Sequence, residues 1–173
     1  MEDDDFLKSL GLPYLGSRLL RVSELAREGS GTALQRAGYE GSTRSVSTIT
    51  LLRRRGPMGV TEIAYRLKLS HPLIIKIVKD LNDAGLVEDR TDPNDNRRRP
   101  IALTPKGEKQ AQLAAHIADA VGDVYGSIFA EAGIDLFRAV EAFEAAVARR
   151  SIADRLSERL AAQRQPALEE ETG

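Results

Sequence analysis

The sequence predicts a mainly α-helical protein with one small β-hairpin set in its middle. Apolar residues Ile74, Ile77, Val78 and Leu81 follow the i, i+3, i+4, i+7 spacing of a helix with one buried face. The six residues Thr91–Asn96 (TDPNDN) concentrate turn chemistry between two short runs, Leu86–Arg90 and Ile101–Thr104, which read as a pair of strands. Beyond them, long apolar-periodic stretches begin at helix-start residues and carry no further strand signal.

Taken in order, Phe6, Leu10, Leu15, Leu19, Val22 and Leu25 give a helical stripe from Phe6 to Glu28. Gly11, Leu12 and Pro13 interrupt it, and Gly29, Ser30 and Gly31 are expected to end it. A short helical segment is expected from Thr32 to Ala37. Ser42 is positioned to cap a helix to about Arg55, with Val46, Ile49 and Leu52 inward. Gly56–Gly59 make a break. Thr61 is expected to cap a short helix bearing Ile63, Ala64 and Leu67 on one face.

A turn at Lys68, Leu69 and Ser70 leads to a second helix from about His71 to Ala84. Ser70 suits its N-cap, and Pro72 is tolerated in its first turn. Gly85 ends it and lets Leu86 pack back on the last turn. Pro100 lacks a donor, so the return strand is expected to be irregular or at an edge. Thr104 and Pro105 start a long helix to about Ala130, broken by Gly133. A last helix begins near Ile134, where Leu136, Val140, Phe143 and Val147 form a seam suited to another helix. Ile152, Leu156 and Leu160 continue an apolar stripe. The polar end, 163–173, is expected to be a disordered tail.

The 173 residues contain no cysteine and two histidines, His71 and His116. Disulfides, thiolate metal sites and cysteine nucleophiles are therefore excluded, and no metal site or cofactor is expected. No phosphate-binding glycine loop or nucleophile elbow occurs, so an enzyme is not expected. Short, charge-interrupted apolar runs fit no membrane span, and the acidic start Glu2–Asp5 is unlike a secretory signal; a cytoplasmic protein is the expectation. Charge is unevenly divided. Residues 40–110 hold 14 Lys/Arg against 9 Asp/Glu, a net of +5, and the rest hold 11 against 17, a net of −6. A basic middle between acidic flanks fits an anionic partner for the middle alone.

Helix, tight turn, helix and hairpin make a winged helix-turn-helix. The first helix braces the second, whose outer face fits the major groove of duplex DNA. The outward residues are expected to be His71, Pro72, Leu73, Ile75, Lys76 and Lys79, with Ser70 and the free N–H groups of the helix start meeting a phosphate. Leu73 and Ile75 either touch thymine methyl groups or pack. Arg90 and the run Arg97–Arg99 add cationic contacts around the hairpin.

From Val60 to Lys109 the sequence resembles the MarR family of transcriptional regulators. The resemblance rests on Leu81–Val87 (LNDAGLV), on the pair Asp95 and Arg97, and on Leu103, Thr104, Lys106 and Gly107. It implies a homodimer joined through its terminal helices, binding a pseudo-palindromic operator. It makes Arg97 the minor-groove residue, oriented by Asp95, with Arg98 and Arg99 beside it on phosphate. Asp89 departs from the family, which usually has arginine there. The domain reading is 1–41 N-terminal helices of the dimerisation region, 42–104 DNA-binding lobe, 105–162 dimerisation helices and 163–173 tail. The resemblance also implies a small aromatic or other organic effector. The function expected is that of a sequence-specific regulator, by repression; the alternative is a winged-helix protein-interaction module without sequence-specific DNA binding.

Overall fold

The computed structural model describes residues 5–90 and 99–170, with side chains to residue 163. It divides into two compact units, residues 1–122 and 123–173. In chain order the helices are α1 (Phe6–Ser9), α2 (Leu15–Arg36), α3 (Val46–Arg55), α4 (Val60–Leu67) and α5 (His71–Asp83), then α6 (Pro105–Ala132), α7 (Leu136–Arg149) and α8 (Ile152–Glu170). Strands β1 (Val87–Asp89) and β2 (Ile101–Leu103) lie between α5 and α6 and pair antiparallel, Val87 opposite Leu103 and Asp89 opposite Ile101. The mainly α fold with a small hairpin sheet is the one the sequence predicts.

In the first unit α2 does not stop at Gly29–Gly31 but runs to Arg36. The Ser30 hydroxyl donates to the Ala26 carbonyl at 2.8 Å and Thr32 to Glu28 at 3.0 Å, so these side chains bond within the helix instead of breaking it. Burial of Leu34 and Tyr39 at its far end offsets the two glycines, each costing about 1 kcal/mol in a helix interior. Residues expected to form one helix from Ser42 begin instead as a 3-10 turn, Thr43–Ser45, before α3. Ser42 makes no side-chain cap; its carbonyl accepts from the Ser45 hydroxyl at 2.7 Å, which also meets Tyr39 Oη at 2.9 Å. This hydroxyl pair is buried, and loss of water around the Tyr39 phenol raises its pKa.

The break at Gly56–Gly59 does structural work the sequence did not reveal. Met58 N–H donates to the Ile101 carbonyl at 3.2 Å, and Ile101 N–H donates to the Met58 carbonyl at 3.0 Å. Met58 is thereby a third partner in the sheet, and β2 lies between it and β1 rather than at an edge. Pro100 does no harm because β2 begins one residue later, and its carbonyl accepts from Arg90 N–H at 2.9 Å. The same pairing holds the chain extended to Gly59, which becomes the N-cap of α4; Thr61 falls inside the first turn and does not cap.

The core gathers Ile49 and Leu52 of α3, Ile63 of α4, Ile74, Ile77 and Leu81 of α5, Leu86, Val87, Ile101, and Ala111 and Ala114 of α6. Gly85, at φ 68°, reverses the chain after α5, and Leu86 N–H returns to the Leu81 carbonyl at 2.9 Å. Thr104 then joins the sheet to α6. Its hydroxyl donates to the Gly85 carbonyl at 2.8 Å and accepts from Gly107 N–H at 2.9 Å. A Cβ on Gly107 would overlap the Leu86 carbonyl, so this turn of α6 can approach the end of α5 only as glycine.

In the second unit Gly133, at φ 64°, ends α6. Asp135 caps α7, accepting from Arg138 N–H at 2.9 Å, and Ser151 caps α8, accepting from Asp154 N–H at 3.1 Å. The backbone of α8 is helical to Glu170, past the point where the sequence reading began a disordered tail. Among the described residues no helix is long and apolar enough to cross a membrane.

Candidate nucleic-acid interface

Helices α4 and α5 meet through a turn in which Lys68 takes the left-handed conformation, φ 54°. Its ammonium lies 4.2 Å from the centroid of the Tyr65 ring, which offsets part of that backbone cost. Ser70 is the N-cap of α5 by backbone, with ψ 143°, yet its hydroxyl makes no cap bond and is exposed. The donors of the first turn of α5 have no earlier turn to bond to, and the helix dipole places partial positive charge there. A serine hydroxyl, unpaired amides and an exposed His71 therefore stand together at one helix start.

The buried side of α5 is Ile74, Ile77 and Leu81. Pro72, Ile75, Lys76 and Lys79 are exposed as the sequence predicts. Leu73 is only partly so: it is half-buried and packs against the core. The Lys79 ammonium meets the Asp83 carboxylate at 2.6 Å, and that hydrogen bond raises the Lys79 pKa. His71 Nε2 lies 3.4 Å from the Thr61 hydroxyl of α4. Lys76 has no ion-pair partner among the described residues.

Arg90 follows β1 and pairs with Glu88 at 3.2 Å, and Arg99 is exposed just before β2. Asp95, Arg97 and Arg98 lie outside the described residues. A groove of about 250 Å³ runs between α5 and the sheet. Ile75, Val78, Val87 and Ile101 give it an apolar wall, while Glu88 and Asp89 stand on the strand side.

Three features escaped the sequence reading. The Thr61–His71 contact joins residues ten apart across a turn, and no spacing rule marks it. Lys106 reaches both the Glu40 carboxylate at 2.6 Å and the Ala84 carbonyl at 3.0 Å, tying the start of α6 to the end of α5. The third is an open, mostly apolar cavity of about 630 Å³ within the first unit, bordered by Leu34, Val46, Leu51 and Ile117, with Arg44 and Arg54 beside them. Arg54 belongs to the triplet Arg53–Arg55 at the end of α3; Arg53 instead pairs with Glu108 at 2.9 Å.

Comparison with known proteins gives a coherent result. The model of the MarR family matches residues 42–98. A MarR-family transcriptional regulator from Rhodococcus sp. RHA1 is similar at 25% identity, covering 77% of this chain and 91% of that one, with a TM-score of 0.55. CouR from Rhodococcus jostii RHA1, solved with p-coumaroyl-CoA, is similar at 25% identity over 77% of this chain and 89% of its own, with a TM-score of 0.57. MepR of S. aureus, solved in complex with DNA, shares the fold at 20% identity over 77% and 93%, with a TM-score of 0.59. A search of curated proteins found no match.

Proposed function

We propose that this chain, whose winged helix-turn-helix lobe is of the MarR family, is a sequence-specific double-stranded DNA-binding transcriptional regulator that acts as a homodimer. The observation that carries the reading is α5 itself. It is braced by Ile74, Ile77 and Leu81 while its polar start and Lys76 remain open to a ligand. The MepR–DNA complex supports DNA as that ligand. Ser70 and the first-turn amides meet a phosphate, Lys76 and Ile75 meet base edges, and Arg90, Arg97, Arg98 and Arg99 hold the backbone around the hairpin. Asp95 orients Arg97 by a charge-assisted hydrogen bond.

Dimerisation is supported by apolar side chains that a lone chain leaves in water. On the N-terminal helices Phe6, Leu12, Leu20 and Leu25 are exposed, and on α7 and α8 Phe137, Phe143, Ile152 and Leu156 are exposed. A two-fold dimer places its recognition helices about 34 Å apart, one DNA turn, on a pseudo-palindromic operator. Occupying a promoter in this way represses it.

An effector is the second part of the reading. The apolar cavity flanked by Arg44 and Arg54 has the chemistry for an aromatic organic anion, its ring on Leu34, Val46 and Leu51 and its charge on the guanidinium groups. The ligand-bound CouR structure supports this class. Such a ligand releases DNA only by binding more tightly to a form of the dimer that cannot span two half-sites.

The test is a titration of the purified protein onto duplex from its own upstream region, with a scrambled duplex as control, at two salt concentrations. Specific binding at about 10⁻⁸–10⁻¹¹ M, falling with salt, is the expected result. Weak, equal binding to both duplexes, and no enrichment from a random-sequence pool, would instead identify a protein-interaction module.

A further inference from the structure

Resting on the DNA-binding reading above, we infer that Ile75 is a specificity-determining residue that reads the 5-methyl group of a thymine in each operator half-site.

The outward side chains of α5 are not equally free. Lys79 is held by Asp83 at 2.6 Å, His71 is in contact with Thr61 at 3.4 Å, and Leu73 packs into the core. Ile75 is 50% exposed, one helical turn from His71 on one side and from Lys79 on the other. A branched aliphatic side chain in that place gains nothing from water and bonds no phosphate. Lys76, next to it, is exposed and supplies the charge that draws a polyanion onto this face.

The groove beside Ile75 narrows the choice of what it meets. Its other wall carries Glu88, paired with Arg90 at 3.2 Å, and Asp89, and the one lysine that borders it, Lys79, is already paired with Asp83. No unpaired cation among the described residues lining the groove is there to hold a phosphate, which leaves a neutral base edge as the group Ile75 can cover. Of the four bases, thymine alone presents a methyl group in the major groove. Val78, bordering the same groove, extends the apolar surface against which that methyl loses its water.

The experiment begins with selection of a preferred duplex from a random pool by the full-length protein. Each thymine of that duplex is then replaced, in symmetric pairs, by deoxyuridine, which lacks only the methyl. Affinities are measured for the wild-type protein and for Ile75→Ala, with circular dichroism melting to confirm that the surface variant folds. One symmetric pair should weaken wild-type binding by about fourfold per half-site, the factor for one buried methyl or methylene group, or about fifteenfold for both. Ile75→Ala should bind the thymine and deoxyuridine duplexes alike at that pair, and Ile75→Val should keep part of the discrimination. The inference is overturned if no deoxyuridine pair affects the wild type, or if Ile75→Ala discriminates as strongly as wild type. Failure to enrich any duplex would instead remove the DNA-binding reading, and this inference with it.

Discussion

The helix-turn-helix lobe within the first unit and the helices of the second unit treat apolar residues in opposite ways. The lobe encloses them: Ile49, Ile63 and Ile74 have no exposed surface, and Leu86 is equally covered, whereas Phe6, Leu20 and Leu25 on the N-terminal helices of the same unit are exposed. In the second, α7 buries no residue, and Phe137 and Phe143 are 65% and 47% exposed. Both segments have comparable helical periodicity, so periodicity alone does not tell a core from an interface. What separates them is whether the same chain supplies the covering layer. The helix-turn-helix lobe draws its core from α3, α4, α5, α6 and the two strands of the same chain. In the proposed dimer, the exposed apolar face of α7 is the part that a second copy covers.

The sharpest break of that comparison comes from removing one core side chain. Ile74→Ala leaves a cavity among α4, α5 and the sheet, and should cost about 2–5 kcal/mol, seen as a lower midpoint in denaturant unfolding. The matched change in the second unit is Phe143→Glu. Phe143 is 47% exposed and lies outside the core of the lobe, so the lobe should remain folded by circular dichroism. The loss should appear in association: sedimentation should show the dimer converting to monomer, with DNA affinity falling alongside. A monomeric wild-type protein, or a variant that still dimerises at the same concentration, would show that the apolar face of α7 has another use.

Thr104→Ala tests the joint between hairpin and α6. The substitution deletes the cap to Gly107 and leaves the Gly85 carbonyl without its hydroxyl donor. A loss of about 1–2 kcal/mol is expected. Thr104→Ser should recover most of it, because the hydroxyl is what matters. Equal stability of the alanine and serine variants would show that the methyl group, not the cap, was the contribution.

Much of this architecture was legible because local and tertiary signals agree. The stripe Ile74–Leu81, the stop at Gly85 and the start at Thr104 each have a local cause, and the structure uses all three. The run Leu103, Thr104, Lys106 and Gly107 also acquires reasons: a cap, a tie to Glu40 and Ala84, and a close approach. The misreadings arose where distant partners decide. Gly29–Gly31 carry a helix because Leu34 and Tyr39 beyond them are buried, and Gly56–Gly59 hold a sheet partner because Ile101 lies across from Met58. On the candidate interface, exposure of Ile75 and Lys76 was readable from phase. The pairing of Lys79 with Asp83 and the packing of Leu73 were not, since each depends on side-chain direction rather than position.

The smallest expected effect concerns how the N-terminal segment is fastened. Asp5 caps α1 and receives both Arg21 guanidinium nitrogens, at 2.9 and 2.8 Å, so one carboxylate pins α1 onto α2. The hydrogen bond from Arg21 holds the Asp5 pKa below its ordinary value of 3.8. A carboxylate lowered in the folded state contributes its stability above pH 3.8 and loses it as pH falls through the folded value. Asp5→Asn should therefore lower the melting temperature slightly at neutral pH, and the difference from wild type should shrink as pH falls below 3.8. Because the pair is only partly buried and still reached by solvent, raised salt should also shrink the difference at neutral pH. Equal melting temperatures of wild type and Asp5→Asn at neutral pH would mean that Asp5 acts only as a hydrogen-bond acceptor for the Lys8 amide at the start of α1, a role the asparagine carbonyl also fills.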